Sequence, residues 1–258
     1  TKQFQIQTTM EEQGVPNDPL GEESAFSPVK GIIHKYPNRV LWKTTYHCAA
    51  HCRFCTRIRQ IGSPEGDLLN IDIELALQYI SSHPEIDDVI LSGGDPFVVP
   101  KTLMKIIVGL QEIPSVRVVR IGTRLPIHSP KSMSSPQVVK ALQALQSNAA
   151  NFQTYVLVHT NHPDELDYEV MDALRTIRTY GFPVLSQTVF LKTVNDDEEV
   201  LEELFKKLYY SGVIPYYMYR CDYVKGLEHF VCDIAREREI MTALHKRMSG
   251  IALPQYIV

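Results

Sequence analysis

Long apolar runs are missing from this 258-residue chain. None approaches the ~18 residues that a membrane span requires, and no charged segment followed by an apolar stretch opens it as a secretory signal would. An excess of either charge is missing too. Lys and Arg number 26 against 30 Asp and Glu, a formal net charge of -4, and the basic residues are scattered, which speaks against a nucleic-acid surface. Cysteine is sparse. There are five, an odd count with three crowded together, so the chain is no disulfide framework and a reducing cytoplasm is the expected compartment. Internal repeats and low-complexity tracts are absent. What remains is an ordinary globular composition, 44% hydrophobic and 22% charged, long enough for one large domain with its own core.

The pattern along the chain is alternation. Residues 1–30 are polar with little periodicity and read as an extended arm; residues 31–258 read as one core domain. In that core, β-prone runs at 39–45, 88–91, 116–121, 154–159, 183–191 and 214–219 take turns with helical patterns at 71–82, 102–111, 136–146, 165–180, 196–210 and 235–248. Helix ends carry local signals: Ser135 as an N-cap ahead of Pro136, an acidic start at Asp196, and Gly181 and Gly212 just past two C-termini. Such alternation argues for a parallel sheet with crossover helices. Six units are too few to close an eight-fold barrel, so the expected fold is α/β, a partial (β/α)6 barrel with an N-terminal arm. Ligands of parallel α/β sheets gather at the carboxyl ends of strands. The polar motifs sit there: the cysteine loop, Ser92-Gly93-Gly94-Asp95, Gly122-Thr123-Arg124, His159-Thr160-Asn161-His162 and Arg220-Cys221-Asp222 each follow an expected strand.

The densest chemistry is Cys48-Ala49-Ala50-His51-Cys52-Arg53-Phe54-Cys55, three thiols spaced C-x3-C-x2-C with no fourth cysteine close by. Thiolates favour iron–sulfur clusters, zinc or copper(I). An ordinary four-iron cluster takes four cysteines, so three would leave one iron open to another ligand. Two plainer readings stand beside this one. His47 or His51 completes a zinc site, or the thiols are buried packing residues.

The spacing, with the aromatic Phe54 just before the third cysteine, resembles the signature of the radical S-adenosylmethionine enzymes. His34-Lys35-Tyr36-Pro37-Asn38-Arg39-Val40-Leu41, Cys52-Arg53-Phe54-Cys55-Thr56-Arg57, Leu91-Ser92-Gly93-Gly94-Asp95, Pro215-Tyr216-Tyr217, Cys221-Asp222 and Glu228-His229-Phe230 further resemble the lysine 2,3-aminomutase group, from about Asp18 to Val258. The resemblance implies a radical S-adenosylmethionine type of partial barrel. Cys48, Cys52 and Cys55 would hold a [4Fe-4S] cluster whose open iron chelates S-adenosylmethionine. Reductive cleavage would give a 5′-deoxyadenosyl radical. That radical takes a β-hydrogen from an amino acid carried on pyridoxal phosphate, and nitrogen moves from C2 to C3.

By the same resemblance, Ser92, Gly93, Gly94 and Asp95 face the methionine end of S-adenosylmethionine, and Arg124 and His159 line its nucleoside or methionine part. Arg57 grips the substrate carboxylate; Asp222 holds a distal ammonium, which a carboxylate suits. Lys35, Arg39 and Gln187 face pyridoxal phosphate, with Lys35 a point charge where the family has the arginine fork. The family's Schiff-base lysine follows a Pro-x-Tyr/Phe-x-Val segment, here Pro254-Gln255-Tyr256-Ile257-Val258, and is expected outside this sequence. Expected partners are a basic amino acid, an electron donor such as flavodoxin or ferredoxin and a second copy of the chain, with no nucleic acid and no membrane. The alternatives are a pyridoxal-independent radical mutase or epimerase, a lysyl-modifying enzyme acting on a translation factor, and a zinc-binding scaffold without turnover. Residue by residue, the bland readings are a turn at Gly93-Gly94, a solvated basic turn at Arg57 and Arg59, and a structural His159. Asp222 reads as a cap or ion pair, and Cys221, Cys232 and Tyr216, Tyr217, Tyr219 and Tyr223 as packing.

Overall fold

Each crossover helix returns the chain to the same edge, so the sheet grows one parallel strand at a time. The computed structural model describes residues 3, 18, 21–22, 25–61 and 72–258. Its single eight-stranded sheet follows chain order. β1 (Ile32–Tyr36) and β2 (Arg39–Thr45) form an antiparallel hairpin. From β2 on, every strand is parallel to the one before: β3 (Asp88–Gly93), β4 (Val118–Thr123), β5 (Gln153–His159), β6 (Val184–Val189), β7 (Ile214–Tyr219) and β8 (Gln255–Ile257). The intervals hold α1 (Ile73–Ser81), α2 (Pro100–Gln111), α3 (Pro136–Ser147), α4 (Tyr168–Thr179), α5 (Glu198–Tyr210) and α6 (Ile234–Arg247). This is the partial (β/α)6 barrel that alternation implies. β1 and β8 are additions that sequence reading missed: one is half of a hairpin, the other three residues long. Most of the expected arm, and Ile71 of the first expected helix, lie outside the described residues.

Asp72, Asp167, Asp197 and Asp233 each accept a first-turn N–H at a helix start. Ser135 precedes α3 as expected, yet its hydroxyl makes no capping bond; Pro136 sets that start instead. The helix expected from 165 begins at Tyr168, because Pro163–Glu165 winds as a separate tight turn.

Strand side chains alternate between two faces. Val40, Trp42, Val89, Leu91, Val119 and Ile121 face the helices and are fully buried, at roughly 1.5–3 kcal/mol for each large side chain. The register sets Arg39 beside Asp88, and Lys43 beside Ser92, on the opposite face. Asp88 pairs there with Arg120. The barrel therefore has an apolar outside under its helices and a polar inside. Among the described residues, no helix is long and apolar enough to cross a membrane.

A buried carboxylate fastens the last strand. Glu237 of α6, wholly buried, accepts from the Tyr256 hydroxyl on β8 and lies 3.4 Å from Arg220 Nε after β7. Burial pushes its carboxyl above the usual range, against the pull of Tyr256 and Arg220. A raised folded value gives stability that is full at acid pH and lost as pH rises through it. Glu237→Gln keeps an acceptor for Tyr256 and removes the buried charge. Wild type should therefore lose stability relative to the variant as pH rises from acid through and above the ordinary glutamate range. Urea midpoints across that range check it, and a pH-independent gap would refute it.

Candidate active site

The cysteine loop leaves β2 at Thr45, and the end of β3 holds it. Gly94 N donates to Thr45 O at 2.6 Å and Asp95 N to His47 O at 2.8 Å. A Cβ on Gly94 would lie 2.2 Å from His47 O, and one on Gly93 2.6 Å from Thr45 O. Gly93 also has φ +103°, where side chains are strained. The glycine pair is thus more than a turn: β3 runs through Gly93, and the close approach it permits is to the cysteine loop's own backbone. Asp95, buried, accepts from the Thr123 hydroxyl at 2.9 Å, Arg124 N at 2.7 Å, Leu125 N at 2.8 Å and Phe97 N at 3.1 Å. Its oxygens are taken by protein donors, and it ties the ends of β3 and β4 to the loop.

Cys48, Cys52 and Cys55 are partly exposed and unbridged. Burial pushes the Cys48 thiol up to about 12, helped by Asp95, Cys55 and Cys52. The thiols of Cys52 and Cys55 are raised by burial as well. Left alone, these would be protonated and inert; a bound cation reverses that, since metals take thiolates. The segment after β4 and the loop's own backbone already offer nitrogen groups to sulfur. Arg124 Nη1 stands 3.0 Å from Cys52 Sγ and His128 Nε2 3.4 Å from it, while Cys55 accepts from the Arg57 backbone. Among the described residues, no three His, Cys, Asp or Glu side chains converge as the ligands of one ion would. Cysteines of a four-iron cluster bind separate irons, and a soft three-thiol set in one loop is chemically suited to such a cluster.

Arg124 is the hub. Its guanidinium pairs with Glu165, reaches Cys52 and lies 5.1 Å from the Phe54 ring centre. Glu165 also accepts from Thr160 Oγ1 at 2.9 Å, Asn161 N at 2.6 Å and Gln3 Nε2 at 2.7 Å. Burial works to raise Glu165, but Arg124 and these donors hold it below the usual carboxylate range. His159, 3.0 Å from Asn161 Oδ1 and 5.2 Å from the Phe54 ring, is pushed down to about 3 by burial and Arg124, so it is a neutral imidazole.

Arg57 is no solvated turn. Its Nε and Nη2 hold the Glu22 carboxylate at 2.8 and 2.6 Å, with 17% of the side chain exposed. Asp222 is close to this pair: burial and then Glu22 raise its carboxyl, and Arg57 opposes them. The structure thus sets Asp222 within electrostatic reach of Arg57, with a carboxylate from the arm in the arginine's fork. Lys35, Arg39 and Gln187 are given separate partners. Lys35 lies over Phe26 at 5.3 Å and Arg39 over Tyr36 at 4.4 Å, both on the β1–β2 hairpin, whereas Gln187 donates to the Tyr219 hydroxyl at 3.2 Å. Tyr216 and Tyr217 join hydroxyls at 2.8 Å, and Cys221 and Cys232 are buried, as packing requires.

Sequence reading missed Glu165, Glu22 and His128. Glu165 had a signal, the capping-box spacing from His162. His128 lies one helical turn beyond Arg124, which shows only once Leu125–His128 is known to be helical. Glu22 sits in an arm without periodicity and had no signal.

The profile described as "Radical SAM superfamily" matches residues 42–205. The L-lysine 2,3-aminomutase of Clostridium subterminale is 39% identical over 242 residues, 93% of this chain and 56% of that protein. The Haemophilus influenzae protein of the same name is 35% identical over 244 residues, 94% of this chain and 70% of its own. The chain thus spans little more than half the length of the first of these. In fold, the crystal structure of Streptococcus suis SuiB bound to S-adenosylmethionine is similar at TM-score 0.59 and 12% identity, covering 89% of this chain and 52% of that one. A radical SAM methyltransferase from Sphaerobacter thermophilus is similar at 0.58 and 17%, covering 88% and 68%. Likeness at those identities concerns the fold alone.

Proposed function

The chain belongs to the lysine 2,3-aminomutase family of the radical S-adenosylmethionine superfamily, and on that premise we propose that it acts as an amino-acid 2,3-aminomutase on a basic, lysine-like substrate. One observation carries the substrate reading: Arg57, two residues past the last cluster cysteine, is near enough to Asp222, just after β7, for its charge to act on that carboxyl. A guanidinium fork and a carboxylate in one site suit a molecule with a carboxylate at one end and an ammonium at the other.

Cys48, Cys52 and Cys55 hold a [4Fe-4S] cluster in this reading, and S-adenosylmethionine on its open iron supplies the radical that starts the reaction. Ser92, Gly93, Gly94 and Asp95 beneath the loop lie toward the methionine end of S-adenosylmethionine, and Arg124 and the neutral His159 line its nucleoside or methionine part. Arg57 fixes the amino acid's carboxylate after parting from Glu22, and Asp222 fixes its basic end. Lys35, Arg39 and Gln187 would hold pyridoxal phosphate, which would carry the substrate's amino group and spread the unpaired electron during migration. A flavodoxin- or ferredoxin-like donor delivers the electron.

The test is anaerobic reconstitution with iron and sulfide, then assay of 5′-deoxyadenosine and amino-group migration on lysine, arginine, ornithine and a lysine-bearing protein, with and without pyridoxal phosphate. A β-amino product from a free basic amino acid, dependent on pyridoxal phosphate, is expected. Zinc in place of iron and sulfide would sink the radical reading. Turnover indifferent to pyridoxal phosphate would favour a pyridoxal-independent mutase or epimerase, a reading motivated by the in-chain partners that Lys35, Arg39 and Gln187 already have.

A further inference from the structure

Cys52 is treated differently from the other two cluster thiols. Its sulfur meets two nitrogen groups from one segment after β4, Arg124 Nη1 at 3.0 Å and His128 Nε2 at 3.4 Å. Arg124 is otherwise engaged by Glu165, and its position belongs to the proposed nucleoside seat. His128 is the second of the two groups. It ends the single helical turn Leu125–His128, where Ile127 N and His128 N donate to Arg124 O and the following Ser129 N donates to Leu125 O, which fixes where the imidazole stands.

The chemistry at that contact depends on the sulfur. A free thiol could donate to Nε2, but a sulfur bound to iron has lost its proton and can only accept. A neutral imidazole carries a single N–H, on whichever ring nitrogen its partner selects. Once iron is bound, that hydrogen belongs on Nε2, because the lone-pair alternative would set two acceptors against each other.

We propose that His128 is a positioning residue for the cluster, donating Nε2–H to the sulfur of Cys52 and thereby easing reduction of the cluster. Hydrogen bonds to cluster sulfurs favour the more negative, reduced state, because electron density on sulfur rises when the cluster gains an electron. The inference rests on cluster ligation by Cys52, not on the substrate or on pyridoxal phosphate.

The test compares reconstituted wild type, His128→Val, which removes the donor, and His128→Gln, which can restore an N–H. Iron and sulfide content is measured first, then the reduced fraction of the cluster is followed by electron paramagnetic resonance across a series of set potentials, without S-adenosylmethionine. The valine protein should show a reduced-to-oxidised ratio lower by about three- to tenfold at a given potential, at most ~59 mV for one electron. Glutamine should recover most of the difference. Equal potentials in wild type and the valine protein, or a glutamine protein no better than the valine one, would overturn the proposal. Should the valine protein hold no cluster, 15N-histidine-labelled wild type takes its place. Nitrogen coupling to the reduced cluster is then expected in wild type and lost in the glutamine protein, and its absence in wild type overturns the proposal. A wild type that assembles no iron–sulfur cluster refutes the ligation premise itself, a distinct outcome.

Discussion

Reconstituted Cys52→Ala is expected to lose 5′-deoxyadenosine formation by at least about a thousandfold, ~4 kcal/mol of barrier, while folding nearly as well as wild type. The loop has no spare thiol. Cys221 and Cys232 are buried, and each sulfur faces a local backbone carbonyl, Asp222 O and Phe230 O respectively, so neither can stand in for Cys52. Cys52 is also the thiol with the richest surroundings. Its removal strips one of the three proposed cluster ligands and leaves Arg124 and His128 pointing nitrogens at a methyl group. Arg124 keeps Glu165, so the hub survives and the stability loss should stay within about 1 kcal/mol. Iron per chain, 5′-deoxyadenosine yield and a urea midpoint, measured on one preparation, separate the two effects. Retention of a tenth or more of wild-type yield would mean that the three-thiol set is not the radical source. A collapse of the fold would mean that the thiol is structural.

How much of this could be read from the chain differs by kind of contact. Short-range signals held. Gly181 and Gly212 follow two helix ends at φ +83° and +76°, and the strand-end rule put the cysteine loop, Gly93-Gly94, Arg124, His159 and Asp222 at one end of the barrel. Ser135 shows the limit of such signals, because a residue of the right type in the right place makes no cap when proline already sets the helix start. Pairings between distant segments were not legible. Nothing about Glu22 says that it will fill the fork of Arg57, 35 residues on. Nothing local says that Glu165 will neutralise Arg124, or that Glu237 will lie buried against Tyr256. These depend on which strands become neighbours, and the pattern of apolar residues determines that only through the whole sheet. Asp95 is the instructive case. Its motif pointed to a cofactor, yet five N–H and O–H contacts from Thr123, Arg124, Leu125 and Phe97 occupy its carboxylate within the protein.

Gly94→Ala should be the most damaging conservative change in the core of the site. The added methyl would stand 2.2 Å from His47 O and 2.9 Å from both His47 C and His47 N. These are backbone atoms, so no side-chain rotation relieves the clash. The cysteine loop must move, and with it go the bonds Gly94 N to Thr45 O and Asp95 N to His47 O. Overpacking of this sort costs about 3 kcal/mol or more when backbone has to yield. Displacement of Thr45–His47 shifts Cys48 directly, so the variant should take up little iron even when enough of it folds. Gly250→Ala is the control, since nothing lies within 4 Å of its added methyl, and it should stay within about 0.5 kcal/mol of wild type with full iron. Urea midpoints and iron content of the two variants, prepared side by side, decide the matter. If Gly94→Ala keeps both its iron and its midpoint, the glycine pair does not hold the cysteine loop, and the close approach between β3 and that loop is not what positions the cluster ligands.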